Sequence, residues 1–238
     1  MFQSNVLDKH KIHYELKRKK TQRITFKMLP NLKLMITAPL YTNDLEILQM
    51  IDSHVQWIID KRKQFILLYP ELMIQRQYKN GELYRFMGDE YTIQIFISSR
   101  ERVVIDNRIL YIFVKQDVFE NKHKIVKKWL IEQSSEILTS LYVCAFANFK
   151  DKNINLPKLI IRDCKSIWGS CNYKRRSITL NRKLVHIPTE LINYVIYHEL
   201  VHLHHPNHGK DYYQELNNYV GNYKLYKEKL KKYSIYYF

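Results

Sequence analysis

Residues Tyr197–Gly209 read YHELVHLHHPNHG, and this stretch holds five of the chain's ten histidines, with a glutamate beside the first. His198 and His202 are four positions apart. On a helix they would stand about 40° apart around the axis and one turn along it, so both imidazoles can reach a single ion. Glu199 is turned about 100° from His198 and can overhang the same ion without ligating it. Pro206 disfavours helix at His205, so the chain should leave the helix there and turn, carrying His208 back toward the pair, with Gly209 freeing the backbone behind it. Three neutral imidazoles suit zinc in a tetrahedral arrangement and leave the fourth position to water. Water acidified in that way loses its proton near neutral pH, and an adjacent carboxylate can take the proton and hand it to a leaving group. Glu199 has no task in a purely structural site. The spacing therefore predicts a hydrolase with one zinc per chain, His198, His202 and His208 as ligands, and Glu199 as general base. His204 and His205 are then spare, read as surface residues ending the helix.

The elements that must position these residues follow from periodicity. A helix is expected from about Thr189 to His204, capped by Thr189 just after Pro188. Ahead of it come a strand (KLIIRD), a loop (CKSIWGSCNYKRR) and a second strand (SITLN); behind it come two amphipathic helices separated at Gly221 and Asn222. A long helix is predicted from about Val118 to Phe149, with Val126, Trp129, Leu130, Ile137, Leu141 and Ala145 on one broad face. Further upstream, RITFKM and LKLMITA flank LPN as a hairpin, and apolar residues recur with helical period from Asn43, a plausible cap, to about Leu68. Asn-Gly and Gly-Asp turn signals in YKNGELYRFMGDEYTIQIFI, followed by RVVI and ILYIFV, read as a meander of short antiparallel strands. The fold class is thus α+β. An N-terminal antiparallel β-rich unit with one long helix is expected over residues 1–116, and a second unit over 117–238 with a long helix, a short sheet, the His-Glu-x-x-His helix and C-terminal helices.

Composition narrows the setting. The chain of 238 residues is 46% hydrophobic, ample for a packed core. It has no apolar run of about 18 residues and a charged beginning without the apolar centre of a secretory signal, so a cytoplasmic protein that does not enter a membrane is expected. Three cysteines, Cys144, Cys164 and Cys171, argue against a disulfide framework, and Cys164 and Cys171 lack the second close pair of a zinc ribbon. Thirty-nine Lys and Arg against 23 Asp and Glu leave a net charge of +16. That field attracts polyanions, so non-specific nucleic acid is a candidate partner, with KRKKTQR and KLYKEKLKKYSIYY as basic and aromatic contacts; an AT-rich genome favouring Lys, Asn, Ile and Tyr explains the same charge. Two alternatives stand beside a peptidase: a metal-dependent nucleotide phosphohydrolase, and a basic nucleic-acid-associated binding protein with a zinc site. The phosphohydrolase lacks support from any Gly-rich phosphate loop or carboxylate cage for magnesium.

WGSC (Trp168–Cys171), ITLN ending at Asn181, Pro188, YVIYHELVHL (Tyr194–Leu203) and NHGKDYY (Asn207–Tyr213) resemble the YgjP-like metallopeptidase domain, a relative of SprT-like proteases and of the wider zincin group. The resemblance is strongest over Leu156–Leu230 and extends more loosely to Pro39, Trp57 and Gly88. It implies a zincin-like second unit acting on peptide or protein substrates. It also makes His198, His202 and His208 the zinc ligands and Glu199 the base, in agreement with the spacing. It further implies that the Trp168–Cys171 loop walls the active site, with Ser170 or Asn181 as a substrate-binding or supporting hydrogen-bond group. The residues themselves read equally as a tight glycine turn with Trp168 filling the core. In zincin-like folds the strand ahead of the metal helix commonly lies along the cleft, so Ser177–Asn181 is expected there, its edge able to pair with an extended peptide. A donor for the oxyanion is expected from Tyr212, Tyr213 or a tyrosine of the last helix. Three departures stand out: Ile167 occupies a place where arginine is common, Gly209 replaces a serine, and Tyr212–Tyr213 replace a Phe-Trp pair. The tyrosines keep the aromatic packing, and the arginine's absence bears on any anionic-substrate contact from that loop.

Overall fold

The computed structural model describes residues 2–29, 32–68, 76–149 and 155–237, and its chain divides into two compact units, residues 1–76 with 235–238, and Gln77–Ser234. In the first unit, alternation of apolar and polar residues drives the expected hairpin of β2 (Thr25–Met28) and β3 (Leu34–Pro39). A strand absent from the sequence reading, β1 (Tyr14–Lys19), adds parallel to the other side of β3. Its charged sequence YELKRK hid the alternation. A short helix, α1 (Asn5–Lys9), precedes the sheet, and α2 (Asp44–Leu68) follows it, with Asn43 Oδ1 accepting from Leu45 N at 3.0 Å as an end cap. Leu34, Ile36 and Ala38 of β3 are fully buried in one cluster with Ile47, Ile51 and Ile58 of α2, one face of a strand against one stripe of a helix.

The second unit opens with β4 (Leu83–Phe86), β5 (Asp89–Ile97), β6 (Arg102–Asp106) and β7 (Ile109–Val114), in the order β4-β5-β7-β6. This corrects the expected antiparallel meander, because β5 and β7 pair in parallel and β6 lies outside them. The apolar β7 takes the inner place, and β6, with exposed Arg102 and Asp106 at its ends, takes the edge that charged residues tolerate. The long helix α3 (Phe119–Ala147) buries Val126, Ser134, Leu138, Tyr142 and Ala145. Its seam therefore runs through Leu138 and Tyr142, with the expected Ile137 and Leu141 half-buried at the margin. Trp129 packs its ring 4.9 Å from Phe86.

Three strands follow: β8 (Lys158–Arg162), β9 (Gly169–Asn172) and β10 (Ser177–Asn181), in the order β8-β10-β9. The Trp-Gly-Ser-Cys segment, expected as a loop or a tight glycine turn, runs into an edge strand. The expected peptide-pairing edge of Ser177–Asn181 is corrected too: β10 is central, parallel to β8 and antiparallel to β9. Its burial explains this, since Ile178, Leu180 and Asn181 are all fully buried. A 3-10 turn over Arg182–His186 leads to α4 (Thr189–Val201), and then come α5 (Lys210–Val220) and α6 (Tyr223–Tyr237). Thr189 is the first helical residue of α4 and Pro188 the cap, with no side-chain cap bond. The Pro188 carbonyl accepts from Leu191 N and Ile192 N at 2.9 and 3.1 Å. The start of α4 is pinned by the β4–β5 turn: Met87 N donates to Val185 O at 2.7 Å, and a Cβ on Gly88 would meet Pro188 Cγ at 2.7 Å. Gly221, at φ 70°, breaks α5 from α6. Among the described residues no helix is long and apolar enough to cross a membrane.

Candidate metal centre

The sequence TELINYVIYHELV places apolar residues around most of α4, and Leu191, Ile192, Val195, Ile196, Leu200 and Val201 are buried. The helix is thus held on several sides, and it carries His198 and Glu199 in its last turn. His202 is its C-cap. Leu203 N then bonds back to Leu200 O and His205 N to Val201 O, after which the chain turns through Pro206 and Asn207 to His208. Gly209 caps α5.

The turn brings the three imidazoles together. His208 Nε2 lies 3.1 Å from His202 Nε2 and 3.2 Å from His198 Nε2, and the three ligand atoms all fall within 4.8 Å of one another. Nitrogens bound to zinc at about 2.0–2.1 Å in a tetrahedron stand about 3.3–3.4 Å apart, close to this spacing. The donor set fits a metal on protonation grounds as well. His202 Nδ1 donates to His205 O at 2.9 Å, which leaves the lone pair on His202 Nε2 facing the cluster. Burial first, then the neighbouring His202, His208 and Lys227, push the His198 ring down to about 3. Burial, then His202 and Lys227, lower His208. Neutral rings with converging lone pairs are what a cation satisfies and one another cannot. Among the described residues His198 Nδ1 is buried without a hydrogen-bond partner.

Glu199 is 5% exposed, and burial pushes its carboxyl up to about 8. Gly169, the first residue of β9, makes room for it: a Cβ there would stand 2.8 Å from Glu199 Oε1 and 2.9 Å from Cγ. The edge strand β9 therefore runs directly beside the carboxylate. The close approach of the Glu199 side chain is the reason for a glycine at position 169.

The remaining expected site residues fall into distinct places. Trp168 is 8% exposed and its Nε1 donates to Ser234 Oγ at 2.8 Å. Ser170 is half-buried on β9, opposite Thr179. Asn181 directs its Nδ2 to Cys164 O at 3.1 Å and Ile167 O at 2.7 Å, while its Oδ1 accepts from Lys183 N at 3.1 Å, so it ties the 164–167 loop to β10. The Ile167 side chain is exposed. Tyr212, 1% exposed, donates its hydroxyl to the His198 carbonyl at 3.0 Å, satisfying one of the last four carbonyls of α4. Its ring centroid is 4.7 Å from those of both His202 and His208. Tyr213 stacks on Tyr223 at 4.4 Å.

His204 and His205 are not spare surface residues. His204 Nδ1 donates to Glu215 Oε1 at 2.8 Å and His205 Nε2 to Glu215 Oε2 at 2.9 Å. Glu215 escaped the sequence reading. Its signal is its place on α5 beside Tyr212, Leu216 and Tyr219, the inward stripe of an amphipathic helix where a carboxylate needs a partner.

The YgjP-like family, metallopeptidase domain, matches residues 22–233. An uncharacterized protein of Methanocaldococcus jannaschii is 32% identical over 98 residues, covering 40% of this chain and 80% of that protein. Among solved structures, the metallopeptidase zymogen of Methanocaldococcus jannaschii jannalysin is 26% identical over 41% of this chain and 91% of its own, with a TM-score of 0.32. The metallopeptidase zymogen of Pyrococcus abyssi abylysin is 20% identical over 44% and 91%, with a TM-score of 0.32.

Proposed function

The chain belongs to the YgjP-like metallopeptidase family, and on that premise we propose that it is a zinc-dependent peptidase whose ion is held by His198, His202 and His208, with Glu199 as general base. The observation that carries the proposal is the convergence of the His198, His202 and His208 Nε2 atoms, with the buried carboxylate of Glu199 on the residue next to His198. An all-imidazole set favours zinc over magnesium or calcium, which take oxygen ligands. When bound, zinc supplies Lewis acidity toward a peptide carbonyl and toward water.

The protein's own residues do the rest. Glu199, shielded from solvent by β9 and α4, takes a proton from the attacking water and returns it to the departing amine. Tyr212 fixes the last turn of α4 through the His198 carbonyl, so its hydroxyl holds a ligand's backbone and an oxyanion donor must come from elsewhere. Among the described residues the outer edge of β9 has no sheet partner, and Gly169 of that strand lies against Glu199, which suits β9 to pair with an extended peptide. In this proposal the catalytic machinery lies within residues 117–238. The three free thiols fit a cytoplasmic setting, and the charge of +16 makes polyanion association a separate property to measure.

The test is metal analysis of protein purified without a chelating tag, together with peptide hydrolysis. About one zinc per chain is expected; it should be lost in His202→Ala and kept in Glu199→Gln, and the glutamine variant should be inactive. Hydrolysis surviving in Glu199→Gln would remove Glu199 from the mechanism.

A further inference from the structure

His202 is a candidate ligand whose ring is oriented through its second nitrogen. It is the C-cap of α4, one residue past the last regular turn, so helix bonding does not constrain it as it does His198. Its ring packs 4.7 Å from that of Tyr212, and among the described residues its Nδ1 is held by one hydrogen bond, to the His205 carbonyl at 2.9 Å. That bond sets the tautomer and turns Nε2 toward His208. The orientation of the 205–206 peptide therefore decides whether His202 is a ligand.

Something must fix that peptide, and one carboxylate on α5 is placed to do so. Glu215 has a side chain 19% exposed and uses both oxygens, Oε1 for His204 and Oε2 for His205. The His204 ring is further seated on Phe149, with centroids 4.9 Å apart and planes 21° off parallel, and Phe149 stacks on Tyr219 of the same α5. Three residues before Glu215, Tyr212 holds the His198 carbonyl. One helix thus steadies both ends of the ligand pair, His198 through a hydroxyl and His202 through a carboxylate and an intervening peptide. Groups that orient a metal-ligating histidine through its second nitrogen typically change metal affinity by about 10- to 100-fold when removed.

We propose that Glu215 is a positioning residue of the metal centre, acting through His205: its carboxylate clamps the turn after α4 and so holds the carbonyl that keeps His202 in its ligating tautomer. The inference rests on the reading of His198, His202 and His208 as ligands. It predicts that Glu215 sets metal affinity in the folded protein, beyond tying two helices together.

Zinc dissociation constants would be measured on the full chain by chelator competition for wild type, Glu215→Ala, His205→Ala and the double variant. The folded state of each would be checked by circular dichroism without metal. Glu215→Ala should bind zinc about 10- to 100-fold more weakly. His205→Ala should lose a similar factor, and the double variant no more than either, because the two act in series. Glu215→Gln, which keeps one acceptor oxygen, should recover part of the loss, and the cobalt-substituted alanine variant should show altered visible bands. Wild-type affinity in a folded Glu215→Ala protein overturns the proposal, as do losses that add in the double variant. If Glu215→Ala does not fold, unchanged affinity in His205→Ala overturns it. A wild-type chain that binds no zinc overturns the site reading as well, whereas normal wild-type binding with indifferent variants removes only the role of Glu215.

Discussion

Glu199 and His198 are neighbours in sequence, and burial moves both toward their neutral forms, the carboxyl up to about 8 and the imidazole down to about 3. In the metal-free chain these shifts have opposite consequences for stability. The unfolded His198 binds a proton below its ordinary value of 6.5 that the folded ring refuses down to about 3, so its contribution is complete above 6.5 and is lost as pH falls. The folded Glu199 keeps a proton that the unfolded chain releases at 4.5, so its contribution is complete below 4.5 and is lost as pH rises toward 8. Between 4.5 and 6.5 the two slopes oppose each other. Melting temperatures of chelator-treated protein should therefore fall on both sides of that window, and Glu199→Gln should remove the decline between 6.5 and 8. A second expectation at this scale concerns Gly169. A methyl there would stand 2.8 Å from Glu199 Oε1, so Gly169→Ala must displace the carboxylate. A displacement near 1 Å costs about 100-fold in rate. Peptide hydrolysis should drop by about that factor with zinc content unchanged, and an unimpaired variant would show that Glu199 does not require this placement.

At the scale of elements, the helices were the most legible part of the chain because their signal is local. The i, i+3, i+4 recurrence of apolar residues marked α2, α3 and α4 to within a few residues, and Gly221 marked the break before α6. Strands were legible where alternation was clean, as in β2, β3 and β10, and missed where charge or small residues obscured it, as in β1 and β9. Strand order was not legible: the parallel pairing of β5 with β7 depends on which strand gains most from an inner position. Nor was the pinning of α4. Gly88 has φ 84°, and an added Cβ would meet Pro188 backbone atoms at 2.8 and 2.9 Å. Gly88→Ala thus combines backbone strain with a clash that no side-chain rotation relieves, and it should destabilise the fold by about 2 kcal/mol or more in denaturant titrations. A neutral result would mean that the β4–β5 turn is not needed to hold the start of α4.

For the whole molecule, metal binding and folding are linked, since a ligand that binds only the folded chain stabilises it by mass action. Zinc at 100 times its dissociation constant should add about 2.7 kcal/mol to unfolding free energy. That gain should appear as a raised melting temperature on returning zinc to stripped wild-type protein, and be absent in His202→Ala. The sequence by itself determined the spacing of His198, Glu199 and His202, the turn toward His208, and the α+β alternation of elements. Helical geometry and turn chemistry act over a few residues, so residue order is enough to read them. Only the tertiary structure decided that β9 lies beside Glu199, that Asn181 fastens the 164–167 loop, that Tyr212 seals the end of α4, and that Glu215 reaches His204 and His205. Gly169 and Glu199 are thirty positions apart in the chain. Burial brings such groups together by removing apolar surface from water, a force without direction along the sequence, and the polar contacts form wherever that packing leaves donors and acceptors facing one another.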